Sequence, residues 1–361
     1  MVLDKNKIIL VSPTAFKDCI SARGLTEFIK SYLWNRGYKN LTSFIGSDGG
    51  NGFLDAMTEI HAGSYIQIQA PALLGNGTRK ENVLIMKDDA AIETASVIGI
   101  EQIPESNRNI FSYTSYPLGV LIKNLKKLYP NLTTFHIGIG GTATLDFGIG
   151  MLHGLGFRFF DENNNLITPS LHNFSKIMKI EPSDVLNTSI IFYQDVHVSL
   201  FSESQSFIDI FGPQKGLLPD QISGFKNVLG LLCDRFSLDK SISGCGGALG
   251  LFPSKYLNVK FISGMEHFSK SKSFVDRLNE SDFIITGEGR LDESTLKGKW
   301  CSAFLQTDKP VLYISGSQSE NLTLPNNWIS ESLQNYEPDK RKSIQLAKPL
   351  IRGILDNYIS D

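Results

Sequence analysis

Short apolar runs ending in glycine or a polar cluster recur along the chain: KIILVSPTAF, TSFIGSDGGNG, TTFHIGIGG, IIFYQDVHV, DFIITGEGR and VLYISGSQ. Four to six apolar residues followed by Gly, Ser or Asp predict buried strands whose C-terminal ends carry loops. Elsewhere the apolar positions take a helical period. LTEFIKSYLWNRG sets Leu25, Phe28, Ile29 and Leu33 on one face, with Gly37 as a stop. MLHGLG starts another helix after the strand TTFHIG. Strands alternating with helices predict α/β layers, and ligands in such sheets sit beyond the strand C-termini.

The pattern changes over SYIQIQAPALLGNGTRKENVLIMKDDAAIETASVIG, where strands follow one another through turns such as GNG with no helix between. That predicts an antiparallel or mixed sheet and a second kind of domain from near residue 60. A length of 361 residues also favours two domains. The net charge of −2 and the lack of a basic block argue against a nucleic-acid partner, and PDKRKSIQ reads as a solvated face. No run of about 18 apolar residues predicts a membrane span. MVLDKNKIILVSP is too short and too charged for a signal peptide. Cys19, Cys233, Cys245 and Cys301 form no CxxC pair and read as reduced thiols of a cytoplasmic protein.

The predicted loops pair glycine with an acid or a lysine. Ser47 to Gly52 reads SDGGNG, Gly287 to Asp292 reads GEGRLD with Lys299 close behind, and GIGGTATLDFGIG carries Asp146. Glycine lets backbone N–H groups approach a ligand, and successive N–H groups make an anion cradle. Acids beside such a cradle suit Mg²⁺ held by carboxylates and phosphates, and lysines suit a transferring phosphoryl group. Phosphate handling is the chemistry these residues favour. A competing reading takes GIGGTA as G-x-G-x-x-G/A with Asp161 at the ribose-binding distance, which would make a dinucleotide site. No G-x-x-x-x-G-K-[ST] is present. His136 in its apolar strand and Cys301 in WCSAF read as core.

In order along the chain, these loops resemble those of the type I glycerate kinase family. SPTAFKDCISA is similar to the family's APDSFKGSLSA, SDGGNG to ADGGEG and AIETASVIGI to IEMASASGL. GIGGTATLDFGIGMLHGLG resembles GIGGSATNDGGAGMLQALG, FGPQKG is the same string, and ITGEGRLDESTLKGK resembles ITGEGRIDSQTAHGK. The resemblance implies transfer of the ATP γ-phosphate to a hydroxyl of D-glycerate with Mg²⁺, giving 2-phosphoglycerate or 3-phosphoglycerate. It implies a Rossmann- or flavodoxin-like three-layer α/β domain of residues 1–60 plus 280–361. A second α/β domain with a mixed sheet, 61–279, would be inserted in it, and the active site would lie in the cleft between them.

Carried over residue by residue, the resemblance implies catalytic roles for Lys17, Asp48, Asp146 and Asp195, one of the acids being the base. It implies substrate or phosphate binding by Gly140, Gly141, Thr142, Lys215, Gly287, Glu288, Gly289, Arg290 and Lys299. Asp195 and Asp292 would hold Mg²⁺, with a capping role as the competing account for Asp292. The implied partners are small molecules, in a monomer or a homodimer. The sequence departs from the family at Thr14, Ala15, Asn51, Leu145, Val198 and, in YPLGV, Pro117. Those departures imply another small hydroxy acid as acceptor, or a weakened, ligand-binding descendant.

Overall fold

The computed structural model describes residues 2–17, 19–183, 188–195, 197–202, 205–320 and 322–359. The chain forms two compact units. One comprises Met1–Asp48, Asp55–Ala62 and Gly264–Asp361, the other Gly49–Leu54 and Gly63–Ser263. Among the described residues no helix is long and apolar enough to cross a membrane.

The first unit is built on five parallel strands in the order Trp328–Ser332, Val311–Gln318, Phe283–Leu291, Ile9–Val11, Leu41–Ser43. Numbered along the chain within the unit and read from the Leu41–Ser43 edge, this is the order 2-1-3-4-5, the flavodoxin-like way of winding an open sheet. The central strands are apolar on both faces because both faces are covered. Helix Ala22–Asn35 begins at Ser21, whose hydroxyl accepts from Gly24 N at 3.1 Å, and the chain turns away at Gly37 with φ of +94°. Its buried stripe of Leu25, Ile29 and Leu33 shares a core with Ile9, Val11 and Ile285 and with Ile351 of helix Ala347–Asp356. Burying each such side chain contributes roughly 1.5–3 kcal/mol. A second apolar cluster joins Phe44, Phe274, Trp300 and Phe304.

Strand order reverses between Ile9–Val11 and Phe283–Leu291, so the switch point lies at the carboxyl ends of those two strands. There the backbone N–H of Thr14 donates to Gly287 O at 2.8 Å. The loop ending at Asp48 leaves the carboxyl end of Leu41–Ser43 on the same sheet.

The second unit holds a six-stranded mixed sheet in the order Asn258–Ser263, Ser189–Gln194, Thr134–Gly138, Asp89–Glu93, Thr78–Met86, Ser64–Pro71. The first four run parallel, and the last two add antiparallel hairpins. A small antiparallel sheet joins Leu166–Ile167, Arg158–Phe160 and Lys179–Glu181. Loops following Gly138 and Gln194, and the short helix Thr94–Val97 directly after Glu93, leave the carboxyl ends of parallel strands, where an α/β sheet presents its chemistry. His136 is buried as its apolar strand predicts, with Nδ1 2.7 Å from the Tyr193 hydroxyl.

Candidate active site

In the first unit the strand Phe283–Leu291 delivers GEG to the switch point. Gly287 is glycine for a packing reason: a Cβ there would stand 1.8 Å from Ile314 O of the neighbouring strand. Glu288 follows, almost fully buried, and both of its carboxylate oxygens take a donor. Tyr313 Oη donates to Oε1 at 2.7 Å and Lys299 Nζ to Oε2 at 3.2 Å. Lys299 also lies 3.6 Å from Asp292 Oδ1. Burial works to lower the Lys299 pKa, but Glu288, Asp292 and Asp48 outweigh it and hold the ammonium above the ordinary lysine value.

Asp292 accepts from the N–H of Ser294 at 2.9 Å and from its hydroxyl, which orders the turn into the short helix Thr295–Lys297. Burial raises its pKa, while the Ser294 bonds and Lys299 bring it below the usual carboxylate range. The turn-capping role and the contact with Lys299 therefore coexist in one side chain. Arg290 is largely exposed, with Nε 3.7 Å from Asp292 Oδ2. A Cβ on Gly289 would sit 3.3 Å from Lys17 N, so the FK turn passes beside this strand, with the Lys17 side chain exposed. The structure thus gathers Asp48, Glu288, Asp292 and Lys299, with Gly287, Gly289, Arg290 and Lys17 at their edge.

In the second unit the glycine turn after Thr134–Gly138 has a different neighbour from the ligand its composition suggests. Gly140 N donates to Gly49 O at 2.9 Å, and a Cβ on Gly140 would stand 2.6 Å from Gly50 Cα. Gly141, at φ +73°, accepts from Ile100 N at 2.9 Å, and Ala143 N donates to Ile98 O at 2.8 Å. The glycines let three backbone segments meet. Beneath the turn lies Lys215, 5% exposed, with Nζ donating to Thr142 Oγ1 at 3.0 Å and Thr144 O at 2.7 Å. Burial pulls its pKa down to about 8, against the upward pull of Cys245, Asp146 and Asp195.

Asp146 is fully withdrawn from solvent. Its carboxylate accepts from Ser115 N at 2.7 Å, Ser115 Oγ at 2.9 Å, Gly148 N at 3.3 Å and Gly150 N at 3.1 Å. Burial lifts its pKa, those four donors draw it back, and it stays above the usual carboxylate value. This geometry ties the start of helix Ile149–Leu155 to Ser115. Asp195, half-buried at the end of Ser189–Gln194, accepts from Cys245 Sγ at 2.9 Å. Among the described residues no three His, Cys, Asp or Glu side chains converge as a metal-ligand group.

Several departures from the family pattern turn out to serve packing. Leu145 is buried in the apolar core and Val198 packs against the same cluster. Asn51 Nδ2 donates to both carboxylate oxygens of Glu101, at 3.1 and 3.2 Å. Pro117 takes the first turn of helix Tyr116–Leu128, where no N–H is needed. Thr14 Oγ1 donates to Gly287 O at 3.3 Å. The dinucleotide context is absent around GIGGTA. The next helix starts only at Ile149, and Asp161 lies in the exposed hairpin between Arg158–Phe160 and Leu166–Ile167, holding Asn163 N and Asn165 N. Sequence reasoning missed Tyr313, Ser115 and Cys245. An aromatic inside VLYISGSQ, a lone serine and a lone cysteine give no local signal of what they face.

Comparison with known proteins follows the same outline. The description of the glycerate kinase family matches residues 9–349. Glycerate kinase from Haemophilus influenzae is 28% identical over 341 residues, 86% of each chain. Glycerate 2-kinase from Escherichia coli K12 is 27% identical, over 87% of this chain and 86% of its own. A crystal structure from Salmonella typhimurium LT2, assigned as glycerate kinase 2, superposes with a TM-score of 0.71 at 25% identity and covers 98% of both chains.

Proposed function

The chain belongs to the glycerate kinase family, and from that premise we propose that it transfers the γ-phosphate of ATP to the 2-hydroxyl of D-glycerate. Family membership makes it a phosphotransferase with a hydroxyl acceptor. The name of the Escherichia coli relative supports the 2-position. The observation that carries the reading is Lys299: half-buried, kept charged by carboxylates, and set at the switch point of a flavodoxin-like sheet.

In this reading Lys299 faces the phosphates, and Lys17 offers a second cation for phosphate or the glycerate carboxylate. Asp195 is the base that takes the hydroxyl proton as the acceptor oxygen attacks phosphorus and ADP departs. Asp48 is the other candidate for that proton, but its charge is already engaged with Lys299. Asp146 serves by position, since four donors fill its carboxylate. Gly140, Gly141 and Thr142 shape the turn, and Lys215 braces it from below.

The donor set fits Mg²⁺. Asp48, Glu288 and Asp292 balance Lys299, Arg290 and Lys17, so no excess positive charge is left to offset a triphosphate, and hard carboxylate oxygens suit that cation. Asp292 is the carboxylate we assign to it, which leaves Asp195 to its role as base. When bound with the nucleotide, Mg²⁺ would supply neutralisation of phosphate charge.

The test is product formation from D-glycerate and ATP, with and without Mg²⁺, read by mass and by coupling to enolase, which consumes 2-phosphoglycerate. We expect a Mg²⁺-dependent coupled signal that falls at least 100-fold in Asp195→Asn. Product seen by mass without an enolase signal would move the transfer to the 3-hydroxyl. No product at all would overturn the reading.

A further inference from the structure

Strand pairing sets Thr286 opposite Tyr313 and Glu288 opposite Ser315. Tyr313 and Glu288 are therefore diagonal neighbours on one face of the sheet, within reach of a long aromatic side chain. The Tyr313 hydroxyl donates to Glu288 Oε1 at 2.7 Å, while Lys299 holds Oε2 at 3.2 Å. The tyrosine itself has no freedom to follow a moving carboxylate. It is 0% exposed, and its ring stacks on Trp328 with centroids 5.5 Å apart and planes 16° from parallel. Burial, then the nearby Cys301 and Glu288, hold the phenol far above its ordinary pKa, so it remains a proton donor.

We propose that Tyr313 is a positioning residue of the phosphoryl-transfer site: by fixing one oxygen of Glu288 it fixes the other, and through it the place of the Lys299 ammonium. The inference rests on the kinase reading for what Lys299 meets. It also separates the tasks of the cluster. Glu288 anchors a cation and takes no substrate proton, Lys299 meets the nucleotide phosphates, and Tyr313 fixes where that meeting occurs. A carboxylate holding only the lysine could rotate, and a cation displaced by about 1 Å loses much of its grip on a phosphate oxygen.

The test uses the full chain with Tyr313→Phe, which keeps the ring, its volume and the stack on Trp328. ADP binding is measured by calorimetry, and KM for ATP and kcat are measured with D-glycerate. The expected result is about tenfold weaker ADP binding and a similar rise in KM for ATP, with kcat within about twofold. Glu288→Gln and the double variant complete a cycle. If tyrosine acts through Glu288, the double variant binds ADP no more weakly than Glu288→Gln alone. Unchanged ADP affinity in Tyr313→Phe, or additive losses in the double variant, would overturn the proposal and leave Tyr313 as a core residue. Because ADP binding needs no acceptor, the two readings fail separately. A wild type that binds ADP and shows the tyrosine effect but leaves D-glycerate untouched overturns the acceptor assignment alone. A wild type that does not bind ADP overturns both.

Discussion

Lys215 of the second unit and Lys299 of the first are both drawn back from solvent, yet their charges meet opposite surroundings. Lys215 is buried against neutral acceptors, the hydroxyl of Thr142 and the carbonyl of Thr144, and its pKa sinks to about 8. Lys299 is less buried and sits between the carboxylates of Glu288 and Asp292, and its pKa rises. Desolvation is the largest influence in both cases, and its sign is the same. What differs is whether ionised partners stand close enough to outweigh it. A lysine bonded to a hydroxyl and a carbonyl holds backbone in place, whereas one bonded to carboxylates keeps a charge that a ligand can meet. The sequence motifs FGPQKG and LKGK look alike in this respect, and only the surroundings tell them apart.

The largest expected effect separates the two lysines by stability as well as by turnover. Lys215→Met removes the brace under the glycine turn, and turnover should fall about 100-fold, as a displaced turn would cost. Stability at neutral pH should change by only about 1 kcal/mol. Leaving Thr144 O without its donor costs about 1–3 kcal/mol, and removing a poorly solvated charge offsets it. The pH dependence gives the sharper test. The folded-state value near 8 lies below the ordinary 10.5, so between those values the unfolded chain binds more protons than the folded one. Wild-type stability should therefore rise with pH through that window, by roughly 3 kcal/mol from this group. The variant should lack the rise. Urea denaturation of both proteins at pH 7.5 and pH 10 measures the difference, and equal slopes would show that Lys215 is not the depressed group.

Glu288→Gln attacks the other side of the comparison with a smaller effect. Glutamine offers one acceptor oxygen to two donors, so either Tyr313 or Lys299 faces an amide N–H₂ instead. We expect kcat/KM to fall about 30-fold, in keeping with roughly 2 kcal/mol for a charge-assisted bond. The Lys299 pKa should drop toward its ordinary value. In the wild type a raised lysine pKa favours the folded state below the unfolded value of 10.5, and that contribution fades as pH climbs past the folded one. Lys299 and Lys215 thus push stability in opposite directions at alkaline pH, and Glu288→Gln should weaken only the downward push. Unchanged kinetics and an unchanged alkaline limb would remove Glu288 as the anchor of Lys299.

Much of this was legible because it is local. Apolar runs before SDGG and GIGG mark strands that give way to loops, and the structure has strands ending at Ser43 and Gly138, whereas GEG, read as a loop, continues its strand to Leu291. The α/β class follows from the alternation, and the antiparallel hairpins from the helix-free stretch after residue 60. Roles set by long-range register were not legible. Lys215 meets Thr142 across 73 residues, and Tyr313 meets Glu288 across 25. Tyr313 sits in a run whose period is that of a buried strand, so its hydroxyl leaves no mark on the pattern. Gly140 reads as a ligand-facing glycine because permissive backbone looks the same whether it approaches a phosphate or Gly50. Leu145 reads as a lost polar contact until its place in the core is known.

Thr142→Val is the smallest change and asks how the Lys215 brace is divided. Valine keeps the shape of threonine and removes the hydroxyl, so the ammonium would retain Thr144 O at 2.7 Å and lose the bond of 3.0 Å. One net hydrogen bond of about 1 kcal/mol corresponds to about a fivefold loss of kcat/KM. Thr142→Ser restores the acceptor and should recover most of it. A loss as deep as that of Lys215→Met would mean that the lysine acts on the turn through Thr142. No loss would place the whole brace on the Thr144 carbonyl, which no side-chain substitution at 144 can remove. In that event Lys215→Arg decides between reach and charge. Arginine brings further donors but a guanidinium too broad for a site 5% exposed, so it should fail where a point charge succeeds.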